Sequence, residues 1–242
     1  MKLGLRTLVL LVTACARGLA QAQTCTNIAT GNWNTAANWN CTVLPAARVP
    51  ANTDNVVIIN NSTVTVNIAG AVAGSVTING GANASSLTMG GAGTTLTVTN
   101  AGGRSGDVLI NGPTAAVTKQ ISVGARSLTV TGNVTINGGT TTNSANNVAQ
   151  LAVTTGTVNI GGDLAMTGGT ATSFARTTLT TGTINITGNA TLTGGTTATR
   201  DALLNVTGIS ATTGVSIGGA LNINSTIASS SAVTLGTNSR MS

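Results

Sequence analysis

Short stretches in which apolar and polar residues alternate recur along the chain, each bounded by glycine, asparagine or alanine. Leu128-Thr-Val-Thr-Gly132-Asn-Val-Thr-Ile136 is echoed by Val158-Asn-Ile-Gly-Gly162-Asp-Leu-Ala-Met166, by Ile184-Asn-Ile-Thr-Gly188-Asn-Ala-Thr-Leu192 and by Val215-Ser-Ile-Gly-Gly219-Ala-Leu-Asn-Ile223. A period of two is the strand period, and the β-branched content agrees with it. The unit therefore predicts two short strands meeting at a glycine corner. The aligned glycines Gly132, Gly162, Gly188 and Gly219 lie 30, 26 and 31 residues apart. Strands this short bury too little surface to stand alone, so successive copies must stack, with Val, Ile and Leu of one winding above those of the next. That is an all-β parallel β-solenoid. The variable spacing is expected to fall in outward loops such as Thr140–Asn147 and Thr170–Arg176.

The same grammar runs upstream in Val56–Ile59, Val64–Ile68, Val76–Ile78, Leu87–Met89, Leu96–Val98, Val108–Ile110 and Ile121–Val123. An antiparallel sandwich or barrel also strings short strands between turns. The repeated strand–glycine–strand unit favours the solenoid, as does the near absence of aromatics, at 1% of 242 residues. The chain divides into residues 1–22 as a leader, 23–55 as an N-terminal cap and 56–242 as solenoid repeats. A cap is expected because the last strand of a stack exposes unpaired backbone groups.

Composition narrows the chemistry. There is no His, Tyr or Glu, and the carboxylates are Asp54, Asp107, Asp163 and Asp201. General acid–base catalysis thus has few reagents, and no catalytic, cofactor-binding or metal-ligating residue is assigned. The apolar residues are mostly Val, Ile, Leu and Ala, which suits a core of thin stacked layers. The formal charge of +6 looks like a polyanion-binding signature until the leader is removed. Lys2, Arg6 and Arg17 then leave, and seven scattered basic residues face four acidic ones, which make no phosphate-binding patch. No nucleic-acid partner is expected.

Residues 1–22 carry a basic start, an apolar run from Leu8 to Ala16 and Ala20-Gln21-Ala22, the layout of a secretory signal peptide cleaved after Ala22. The apolar run is far below the roughly 20 residues of a spanning helix, and no later segment qualifies as transmembrane. The expected location is secreted or outer cell surface. Val12-Thr-Ala-Cys15 offers the alternative of a lipoprotein anchored through Cys15. Cleavage at Ala22 leaves Cys25 and Cys41 in an exported chain, read as one disulfide. It would close a loop worth about 3 kcal/mol in the chain-entropy model. Metal binding by the pair is the weaker alternative, for want of further ligands.

The segment from Cys25 to Ile68 holds both tryptophans, in Gly31-Asn-Trp33-Asn-Thr-Ala-Ala-Asn-Trp39, followed by Val49-Pro50 and Asp54-Asn-Val-Val-Ile58. This string resembles the opening module of large bacterial β-strand-repeat surface proteins of the hemagglutinin or autotransporter-passenger type. The resemblance implies a right-handed parallel β-helix and a structural or adhesive role at the cell surface. It does not extend to an Asn-Pro-Asn motif or to a C-terminal translocating barrel, which would need lipid-facing alternation with aromatic girdles. Absence of an evident cap before Ser242 raises the expectation of a partner over that end or of a longer chain.

Trp33 and Trp39 admit two readings, a hydrophobic lid on the first coil or a sugar-stacking platform. A polysaccharide-degrading β-helix would need two opposed carboxylates. Asp163 aligns with Asn133, Asn189 and Ala220, a turn position without a partner, and Asp54, Asp107 and Asp201 read as turn or edge residues. Thr-x-Thr pairs such as Thr97/Thr99 and Thr129/Thr131 bring ice binding into view, but their aligned counterparts Asn159/Gly161 and Asn185/Thr187 make the row mixed. The expectation is a non-enzymatic, adhesin-like solenoid that meets surface glycans or matrix through its outward Asn and Thr. The alternative is a carbohydrate-binding module using Trp33 and Trp39.

Overall fold

Residues that the repeats align in sequence are hydrogen-bonded neighbours in space. A computed structural model describes residues 23–59, 61–140, 147–170, 173–196, 202–208, 214–225, 231–236 and 240–242. The leader 1–22, Cys15 and Asp201 lie outside the described residues. Leu128 pairs in register with Val158, Val158 with Ile184 and Ile184 with Val215. Val134, Leu164, Ala190 and Leu221 form a second such column. Every pairing between successive windings is parallel, so the fold is an all-β parallel β-solenoid, as the repeat demands.

Each winding carries a third strand beyond the two of the repeat unit. The strands form sheets of nine, eight and seven members, here called faces A, B and C. One winding runs Val134–Asn137 on face A, Asn147–Val153 on face B and Thr157–Ile160 on face C. Face B strands also occupy Ser173–Leu179 and Ala202–Val206. Of the two expected loops, Asn147 and Ser173–Arg176 therefore lie within strands, and residues 141–146, 171 and 172 lie outside the described residues.

Alternation sends one set of side chains inward, and these fill the interior as columns. Leu96, Leu128, Val158, Ile184 and Val215 on face C are all essentially inaccessible, as are Ile58, Ile78, Ile110, Ile136, Met166 and Leu192 on face A. Burying an aliphatic side chain of this size stabilises by about 1.5–3 kcal/mol, offset by the entropy of ordering the chain. The turn from face C to face A is a glycine column. The Gly162, Gly188 and Gly219 amides donate to the carbonyls of Gly132, Gly162 and Gly188 at 2.9–3.0 Å. A Cβ at Gly162 would lie 2.3 Å from Asn133 Oδ1 and 2.8 Å from the Gly132 oxygen, so close backbone approach excludes any side chain there.

The N-terminal end is closed by structure of a different kind. Gln23–Asn27 adds to face A in parallel with Asp54–Ile58, and its other edge is covered by the antiparallel strand Trp39–Cys41. Cys25 and Cys41 are register partners across that pair and are joined by a disulfide. Arg48 lies over the same end, gripping the buried Asp54 carboxylate at 2.6 and 2.7 Å. That contact raises the Arg48 pKa, the hydrogen bond to Asp54 being the main cause. At the other end, the inward-column residues Ile223 and Leu235 are 46% and 48% exposed. Among the described residues no helix is long and apolar enough to cross a membrane.

Candidate functional site

The two tryptophans sit inside the N-terminal closure. Trp33 is 0% and Trp39 1% exposed, their rings meet edge to face at 5.1 Å, and Trp39 Nε1 donates to the Trp33 carbonyl at 2.8 Å. Rings in this arrangement cover the first coil beside the disulfide. Sugar stacking needs an open indole face, and neither ring offers one in this conformation.

Three of the four carboxylates can be placed. Asp54 is the buried partner of Arg48 and also accepts from the Ala51 amide at 2.6 Å, which pins the turn before its strand. Asp107 and Asp163 belong to one ladder at the corner between faces C and A. Asp107 Oδ1 accepts from the Asn133 amide at 2.6 Å, Asn133 Oδ1 from the Asp163 amide at 2.8 Å, Asp163 Oδ1 from the Asn189 amide at 2.7 Å and Asn189 Oδ1 from the Ala220 amide at 2.9 Å. Each side chain thus satisfies a backbone donor one winding on. Alignment of the repeats places Asp163 in this column. Asp107 escapes it because its own winding departs from the strand–glycine–strand sequence. Among the described residues, no three His, Cys, Asp or Glu side chains come together as a metal site.

The outward sides differ between faces. Face C presents Thr95 and Thr97, Ser127 and Thr129, Thr157 and Asn159, then Thr183 and Asn185, stacked in register with no charged side chain among them. Neighbouring strands lie about 4.8 Å apart and alternate residues about 6.7 Å, so hydroxyls and amides form a two-dimensional grid. The Asn185 amide donates to Asn159 Oδ1 at 2.8 Å, fixing the orientation of that column. Face B carries its own ladder, in which Gln150 donates to Gln120 and Arg176 to Gln150 at 2.8 and 2.9 Å. Desolvation lowers the Arg176 pKa from its usual value.

One inward position on face B breaks the apolar rule. Lys119 is fully buried, its ammonium nitrogen 3.1 Å from the hydroxyl of Ser85, the register partner one winding earlier. Burial pushes its pKa down to about 8. Later windings place Ala149, Ala175 and Ala202 at the same position. The alternation Thr-Lys-Gln-Ile-Ser-Val over 118–123 contains the signal, since Lys119 shares the parity of the inward Ile121 and Val123.

Compared with protein-family models, with curated proteins and with solved structures, the chain matches none. The fold defines the class: a three-faced parallel β-solenoid with a disulfide-stapled N-terminal closure. The disulfide is the chemistry of an oxidising compartment.

Proposed function

We propose that the chain is an exported surface protein of adhesin-like, structural character, comparable to the β-strand-repeat surface proteins whose opening module its N-terminus resembles. The observation that carries this reading is the uncharged grid of Thr, Ser and Asn on face C. Such a grid offers many equivalent hydrogen-bonding groups at fixed spacing. Each contact with a hydroxyl-rich polymer is weak, and simultaneous engagement of several windings turns weak contacts into retention. The partner class is therefore glycan or matrix on a cell or environmental surface. Trp33 and Trp39 contribute by closing the scaffold and do not form part of the binding face. The leader and the disulfide support secretion or display on the outer surface.

The full-length protein on a glycan and matrix array tests this. Retention on hydroxyl-rich polymers should fall at least tenfold in the double variant Thr129→Lys with Asn159→Lys, whose circular dichroism stays that of the parent. Retention unaffected by charges in the middle of face C, or no retention on any polymer, contradicts the reading.

A further inference from the structure

A guanidinium borders the uncharged grid of face C, at the corner where the chain arrives from face B. Arg126 precedes Ser127, and Thr95, Ser127 and Thr157 are register partners in three successive windings. One place earlier in each winding stand Thr94, Arg126 and Gly156. The ladder reaches this corner, where the Thr157 amide donates to the Arg126 carbonyl at 2.8 Å. A Cβ at Gly156 would lie 2.2 Å from that carbonyl oxygen, so the position beside the arginine carries no side chain. The corner holds an open cavity of about 280 Å³ whose wall includes these six residues. Among the described residues no acidic side chain lines it.

The polar groups of this wall are unequally satisfied. The Thr94 hydroxyl donates to the Gly90 carbonyl at 2.5 Å, and the Thr95 hydroxyl accepts from the Gly70 amide at 2.8 Å. Among the described residues the Ser127 and Thr157 hydroxyls have no partner. Arg126 Nη1 donates to the adjacent Ala125 carbonyl at 2.8 Å, whereas Nε is shut off from water without an acceptor. The ion pair of the described residues is Arg48–Asp54, and Asp107 and Asp163 serve the other corner, between faces C and A. Within the described residues the Arg126 charge is thus met by one neutral carbonyl. A carboxylate suits it best, because two oxygens match the planar guanidinium fork.

We propose that this corner cavity takes the carboxylate of an acidic sugar unit, so that the polymers retained by face C are uronic-acid polysaccharides. The inference rests on face C being a glycan-binding grid and adds the kind of glycan it selects. The carboxylate pairs with Arg126, and ring hydroxyls of the same unit meet Ser127 and Thr157, each able to donate and accept. One unit is thereby fixed at the corner while its neighbours lie over Thr129 and Asn159, the next outward residues of the same two strands.

The test measures retention of the full-length protein on immobilised polygalacturonate and on the same polymer with its carboxylates methyl-esterified. The parent should hold the acid form about tenfold more tightly than the neutral ester. Arg126→Gln should bring the acid form down to the level of the ester and leave the ester unchanged. Arg176→Gln removes the same charge from face B and should keep the preference. Circular dichroism checks that both variants fold; should Arg126→Gln not fold, the polymers compared on the unaltered protein decide. Loss of the preference in Arg176→Gln would mean attraction by net charge, and equally tight binding of a sulfated dextran of matched charge density would mean an anion site blind to carboxylate. Either result would overturn the proposal, as would a parent that holds acid and ester alike. In that last case the glycan reading of face C still stands, and Thr129→Lys with Asn159→Lys should weaken retention on the ester. Retention of neither form removes both.

Discussion

A single buried amine sets how this protein responds to alkali. Lys119 has an ordinary pKa of 10.5 when the chain is unfolded and about 8 when it is folded. Below pH 8 both states hold the proton, and the folded state bears the full desolvation cost of the charge. Between pH 8 and 10.5 the unfolded chain binds a proton that the folded one has released, so stability rises with pH through that window. A shift of this size is worth on the order of 3 kcal/mol. Among side chains beyond the leader the window is otherwise quiet, because the chain contains no Tyr and no His, Lys2 and Cys15 lie in the leader, and Cys25 and Cys41 are bonded to each other. Urea denaturation should therefore show the parent gaining stability from pH 7.5 to pH 10, whereas Lys119→Ala shows a flat profile and exceeds the parent at pH 7.5. A parent as flat as the variant would contradict the burial of this amine.

The strands of face B are where sequence pattern and structure part company. Thr177 turns inward between Leu151 and Leu204, and its hydroxyl donates to the sulfur of Met166 at 3.2 Å. A thioether is a weak acceptor, so the buried hydroxyl is poorly compensated. Thr177→Val keeps the shape and removes the hydroxyl; a gain of about 1 kcal/mol in urea unfolding is expected. A loss of stability would show that this hydrogen bond matters more than its geometry implies. The same strand explains why the later strands of face B escape the repeat pattern, although Val64–Ile68, Leu87–Met89 and Ile121–Val123 mark the earlier ones. Ser173, Ala175 and Thr177 are its first inward residues, so apolar alternation is weak over Ser173–Leu179, and Asn147–Val153 is blurred in the same way by Ala149 beside Val148. On faces A and C the inward positions are Val, Ile, Leu or Met in nearly every winding, and there the strands were legible. Of the candidate site residues, the Cys25–Cys41 bridge followed from counting thiols. The burial of both tryptophans required knowing that Trp39 lies on the strand that covers the first edge. The Lys119–Ser85 contact joins residues 34 positions apart, and only the register of two windings brings them together.

Across the whole molecule one arrangement explains the composition. Stacked windings leave room inside for a narrow column, which suits Val, Ile, Leu and Ala and has no place for large rings except where Trp33 and Trp39 close the end. Scarcity of charge follows from the outward positions, which satisfy one another as Asn, Gln and Thr ladders. Backbone ladders running along the axis carry the parallel pairing, and glycine corners let the chain turn without separating the layers. Isotope-edited NMR of the backbone amides tests this most directly, because cross-strand amide and α-proton contacts report which residues are neighbours. The account predicts contacts between Thr129 and Asn159 and between Asn159 and Asn185, separated by 30 and 26 residues, and antiparallel contacts only between Gln23–Asn27 and Trp39–Cys41 among the described strands. Contacts at hairpin separations, linking each strand to the next one in sequence, would contradict it.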